Sequence, residues 1–114
     1  MAELTLYGLK TCDTCKKAIK ALEAAGHSVT YIDVRADGVL MDVIEGWLET
    51  VGDALINQRS TTWRTLDDNQ RLQAQNDPAE LLSLHPTLIK RPVIVNDGGV
   101  TVGWSKAVQA GFGV

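Results

Sequence analysis

The sequence predicts an α/β domain with a four-stranded mixed sheet, built as a βαβ unit, a helical insertion and a closing ββα unit. Three observations carry this. Apolar strand-like runs stand at 4–8, 29–34, 93–96 and 100–104. A helical period links the first two runs, and the turn signal Asp97-Gly98-Gly99 links the last two. Strands joined through a helix run parallel and strands joined by a tight turn run antiparallel, so the sheet is mixed.

Taken in order, Leu4-Thr5-Leu6-Tyr7-Gly8 reads as the first strand. The helix predicted from Thr14 to Ala25 places Ala18, Ile19, Leu22 and Ala25 on one face and Lys16, Lys17, Lys20 and Glu23 on the other, a solvated face. Gly26 ends it. Val29 to Val34 follows His27 and Ser28 as the second strand, giving a βαβ unit with a right-handed crossover. After the turn at Asp37-Gly38, Val43, Ile44, Trp47, Leu48 and Val51 recur at helical spacing, interrupted by Gly46 and closed by Gly52.

From Asp53 to Arg64 the pattern lapses into a loop or short turns, with the polar run Asn57 to Thr62 before Trp63. Asp67 to Asn76 is polar enough to read as a mostly solvated helix. Asp77-Pro78 is a helix-start signal, after which Leu81, Leu82 and Leu84 are expected to face inward. Ser105 caps a last helix through Ala110. The chain is thus one domain, 1–114, with the insertion over approximately 38–89.

A chain of 114 residues, 45% hydrophobic, buries enough surface to fold without a disulfide or a metal. Its cysteines are therefore free for chemistry. A net charge of −3 argues against nonspecific nucleic-acid binding. The sequence shows neither a basic segment leading an apolar one nor a run of about 18 apolar residues, so the expectation is a soluble cytoplasmic protein without a membrane partner.

Cys12 and Cys15, the only cysteines, stand in Lys-Thr-Cys-Asp-Thr-Cys-Lys-Lys at 10–17, where the first strand turns into the first helix. Unpaired N–H groups and the helix dipole stabilise a thiolate there. In a reducing compartment this spacing means a metal site or a catalytic dithiol. Zinc would need His27 and His85, which are 58 positions apart, so no metal is expected. His27 reads as capping a surface turn and His85 as ending a helix. Lys10, Lys16 and Lys17 favour ionisation of Cys12 and Asp13 opposes it, which predicts a moderate lowering of its pKa. Trp47, Trp63 and Trp104 read as packing residues.

A four-stranded sheet with C-x-x-C at the first βα turn is the thioredoxin-like arrangement, and Pro92, just before the third strand, would sit opposite that turn. The chain resembles the ArsC-like branch of thioredoxin-fold proteins, which includes arsenate reductases and the Spx regulators. The likeness rests on Leu6 to Lys17, on Asn57-Gln58-Arg59-Ser60-Thr61-Thr62-Trp63-Arg64, and on His85 to Ile94. It implies that Cys12 is a nucleophile, that Arg59 and Arg91 line its pocket, and that Pro92 is a cis-proline. Paired guanidinium forks are also what an oxyanion, carboxylate or sulfenate near a thiolate requires, with Lys10 as a further cation. The chain departs from arsenate reductases in its second cysteine and in having no arginine after Arg91.

The reading these features support is a thiol–disulfide reductase in which Cys12 attacks and Cys15 resolves. Its substrate would be a small-molecule or protein disulfide, and no cofactor is bound. Glutathione, or a thioredoxin or glutaredoxin, would supply the electrons. Two alternatives stay open. One is an Spx-like regulator whose disulfide switches a surface that binds RNA polymerase, with Gly52 near the expected partner face. The other is a glutaredoxin-coupled arsenate reductase.

Overall fold

Alternation of buried and more exposed residues along Glu3–Gly8 fits this segment to a sheet with one face against a core. In the computed structural model, which describes residues 3–96 and 99–114, the elements in chain order are β1 (Glu3–Gly8), α1 (Asp13–Ala24), β2 (Ser28–Asp33), α2 (Met41–Val51), α3 (Thr61–Thr65), α4 (Asp68–Asn76), α5 (Pro78–Leu84), β3 (Val93–Asn96), β4 (Gly99–Val102) and α6 (Lys106–Gly111). They form two compact units, residues up to 34 with 91–114, and residues 35–90.

In the first unit the strand order is β2-β1-β3-β4. β1 runs parallel to β2 from Glu3 opposite Ser28 to Gly8 opposite Asp33, and antiparallel to β3, which pairs antiparallel with β4. This is the predicted mixed sheet and the thioredoxin-like arrangement. Asn96 faces Gly99 across the hairpin, while Asp97 and Gly98 of the predicted turn lie outside the described residues. Leu4 and Leu6 of β1, Cys15, Ala18 and Leu22 of α1, and Ile94 of β3 form the core of this unit. Each fully buried leucine contributes about 1.5–3 kcal/mol of transfer free energy.

α1 stops at Ala24, and Gly26, at φ 94°, takes the left-handed turn that leads into β2. His27 departs from expectation. Its Nε2 lies 2.8 Å from the Phe112 carbonyl oxygen and its ring meets the Phe112 ring edge-on at 6.0 Å, so it ties the turn after α1 to the residue that follows α6. A neighbouring aromatic 85 residues later in the chain is invisible to local sequence reading.

In the second unit α2 buries Ile44 and Trp47 and ends at Gly52, whose φ of 63° favours glycine. Part of the expected loop is helical. Ser60 accepts the Trp63 N–H at 3.1 Å and starts α3, because a serine read as loop polarity is also a preferred N-cap. α4 is the solvated helix predicted, with Ala74 its buried residue, and Asp67 and Gln70 close a capping box at 2.8 and 2.9 Å. Asp67→Ala is expected to lower stability by about 1 kcal/mol, read as a reduced urea midpoint at constant slope.

α5 buries Ala79, Leu81 and Leu82, but Leu84 is 63% exposed, contrary to its expected inward face. At about 100° per residue Leu84 falls toward the side opposite the arc that Ala79, Leu81 and Leu82 define. Among the described residues no helix is long and apolar enough to cross a membrane.

Candidate active site

The end of β1 and the start of α1 place both cysteines in the first unit. Cys12 is the residue at the N-cap of α1, its backbone extended at φ −87°, and its N–H donates to the Leu9 carbonyl oxygen at 3.1 Å. It lies at the helix end where N–H groups are unpaired and the dipole is positive. Cys15, one turn on, is 1% exposed within the core. Both thiols are free.

The different surroundings of the two sulfurs separate their acidities. Burial pushes the Cys15 thiol up to about 12, and its hydrogen bond to Cys12 adds to this. Cys12 is also penalised by burial, but the Cys15 backbone N–H and thiol donate to it, and the Arg91 guanidinium donates to it and faces it with a positive charge. The balance holds Cys12 below the ordinary thiol value. The lowering was expected, whereas its cause differs. The lysines of the turn do not appear among the groups responsible, since their side chains extend into solvent from exposed positions.

Arg91 and Pro92 come from the segment that enters β3, and the peptide bond between them is cis. Pro92 is buried, and its carbonyl oxygen accepts the Gly103 N–H at 2.9 Å. Lys10 is exposed, and its backbone N–H donates to Asp33 Oδ2 at 3.2 Å. Cys12, Cys15, Lys10, Arg91 and Pro92 therefore belong to one unit. Arg59 belongs to the other, exposed beside Asn57, whose Oδ1 accepts its backbone N–H at 3.1 Å.

Arg91→Ala removes the cation that favours the thiolate, so the midpoint of Cys12 ionisation is expected to rise toward about 8.5. The pH dependence of its alkylation by iodoacetamide reads this directly. An unchanged midpoint would remove Arg91 from the site.

Sequence reading missed two features of the site. A Cβ on Gly8 would lie 2.6 Å from Cys15 Sγ, so the strand leaves open the space that the sulfur fills. Asp33, 8% exposed, is the buried charged residue of the described chain and accepts from both Lys10 N and Tyr31 Oη. The available signals were a glycine closing a strand just before a cysteine turn and an acid inside an apolar strand.

Comparison with known proteins shows the family and the fold. The family model described as the ArsC family matches residues 7–112. An uncharacterized protein of Haemophilus influenzae is 40% identical over 96% of this chain and 98% of its own. The global transcriptional regulator Spx of Bacillus subtilis is 28% identical over 90% of this chain and 81% of Spx. The solution structure of an arsenate reductase related protein from Brucella melitensis superposes with a TM-score of 0.75 at 36% identity, covering 98% of this chain and 96% of that one.

Proposed function

We propose that this chain, which belongs to the ArsC family, is a thiol–disulfide reductase in which Cys12 is the attacking sulfur and Cys15 the resolving one. The observation that carries the reading is the split in acidity between the two thiols, with Cys12 held low at a helix N-terminus beside Arg91 and Cys15 buried and pushed up to about 12. Of the two sulfurs, Cys12 is the one that ionises more readily and Cys15 the one that holds its proton more tightly.

In this mechanism the Cys12 thiolate attacks a substrate disulfide, forming a mixed disulfide and releasing one substrate thiolate. Cys15 then attacks Cys12 Sγ, the bond to substrate breaks, and the second thiolate leaves as the Cys12–Cys15 disulfide forms. Two electrons from glutathione, or from a thioredoxin or glutaredoxin, restore the dithiol. Arg91 stabilises the thiolate and would bind an anionic substrate group with Lys10, and the cis-proline Pro92 has a structural role beside them. Arg59 enters this reading on its motif alone.

The test is NADPH-coupled turnover of small and protein disulfides with the glutathione and thioredoxin systems. Absence of turnover with both reductants would sink the reductase reading. The likeness to Spx favours a second reading, in which the Cys12–Cys15 disulfide controls binding to RNA polymerase. Co-purification with polymerase under oxidising conditions, lost in Cys12→Ser, would support that instead. Arsenate added to the same coupled assay decides whether arsenate is also a substrate.

A further inference from the structure

The reacting end of the sheet carries one large side chain that the mechanism above does not use. Cys12, Arg91 and Trp104 all stand beyond the same end, because β1 and β4 finish there and β3 begins there. The last rungs pair Tyr7 with Val93 and Val93 with Val102. One residue further on, the Gly103 N–H donates to the Pro92 carbonyl oxygen at 2.9 Å, so the chain stays fastened to the cis-proline up to the residue before Trp104. On β1 the same direction leads through Gly8 and Leu9 to the turn in which Cys12 donates its N–H to the Leu9 carbonyl oxygen.

Trp104 is held on both sides. Gly103, at φ 83°, takes the left-handed conformation that turns the chain out of β4. Gln109 Nε2 donates to the Trp104 carbonyl oxygen at 3.1 Å, and Ser105 Oγ caps α6 by accepting the Val108 N–H at 3.2 Å. The Trp104 side chain packs against the buried cluster of Cys15, Leu6 and Ile94, and Cys12 packs against the same cluster. Trp47 of the second unit is 4% exposed and serves packing, whereas Trp104 is half-buried and keeps part of its surface open. Its indole N–H makes no hydrogen bond among the described residues.

We propose that Trp104 is a specificity-determining wall of the Cys12 site, and that the disulfides it favours are peptide disulfides with an aromatic residue beside the half-cystine. The assignment rests on reading Cys12 as the attacking thiol. An indole offers an apolar face and one donor at its edge, so it packs against an aromatic side chain and gives its N–H to a peptide carbonyl. Arg91 acts on the sulfur itself, donating to Cys12, and leaves discrimination between peptides to the uncharged ring. In the step that is selected, the Cys12 thiolate forms a bond to one peptide sulfur as the peptide disulfide breaks. The second peptide leaves as its thiolate with the electron pair.

The experiment mixes the reduced full chain with the disulfide dimer of acetyl-Phe-Cys-amide or of acetyl-Gly-Cys-amide. Mass spectrometry of acid-quenched samples counts the chains whose Cys12 has reacted, as the mixed disulfide or as the internal one. In the parent the phenylalanine peptide is expected to react about tenfold faster than the glycine peptide. In Trp104→Ala the two rates should come within about twofold of each other, with the glycine-peptide rate within about threefold of the parent. Trp104→Phe, which restores a ring, should keep a ratio above about fivefold. Trp104→Leu, which keeps an apolar side chain without a ring, should lower the ratio to about threefold and reads the same effect where Trp104→Ala does not fold. Each ratio compares two substrates on one protein, so a merely structural role for Trp104 would lower both rates and leave the ratio unchanged.

A ratio near one in the parent, or a parental ratio in Trp104→Ala and Trp104→Leu, would overturn the assignment. If neither peptide reacts with Cys12, the assignment and the reductase reading fall together. A chain that shows the expected ratios yet turns over no disulfide with either reductant loses the reductase reading and leaves the Trp104 wall standing.

Discussion

Cys12→Ser is expected to abolish disulfide turnover, a loss of at least about 10³-fold in kcat/KM, given that removing the nucleophile of a hydrolase costs roughly 10⁶-fold. A serine hydroxyl is not ionised at neutral pH, and neither the helix N-terminus nor Arg91 can bring it within reach of ionisation. Cys15→Ser should behave differently. With glutathione as reductant a second glutathione can attack the mixed disulfide on Cys12, so turnover persists while mass spectrometry finds a Cys12–glutathione adduct in place of the internal disulfide. Equal loss in the two variants would mean that an external thiol cannot reach Cys12. Full activity in Cys12→Ser would place the chemistry elsewhere.

The different expectations for two cysteines three residues apart follow from local structure. Cys12 stands outside the helix, with its sulfur near unpaired N–H groups and a guanidinium, whereas Cys15 has turned inward under β1. Cys15 shares the buried face of α1 with Ala18 and Leu22, two of the residues whose helical spacing marks that face in the sequence. Periodicity also revealed the sheet, since alternation along β1 and a helical connection to β2 admit few other topologies. What local pattern could not reveal was long-range partnership. Asp33 reads as one residue of an apolar strand until the register sets it across from Gly8. The acidity of Cys12 was expected from the nearby lysines, but proximity along the chain says little about where a long, solvated side chain holds its charge. The cation that matters arrives from residue 91.

Gly8→Ala is expected to destabilise the fold by about 1–3 kcal/mol, the usual cost of overpacking, even though such a change inside a strand ordinarily favours alanine by roughly 0.5–1 kcal/mol. Gly8 is not among the glycines with positive φ, so its backbone tolerates a side chain. The collision is with one partner, since the added carbon would lie 2.6 Å from Cys15 Sγ and 3.1 Å from Cys15 Cβ. Removing the sulfur should therefore remove most of the cost. On a Cys15→Ala background the same substitution is expected to cost less than about 1 kcal/mol, a coupling within the 0.5–3 kcal/mol range seen for residues in contact. Urea midpoints at constant slope for the four proteins close the cycle. Equal costs on both backgrounds would show that α1 yields freely and that β1 does not hold the resolving sulfur in place. A strong coupling would mean that the strand end positions Cys15 beneath Cys12 before any substrate arrives, so that formation of the internal disulfide requires little further ordering of the chain.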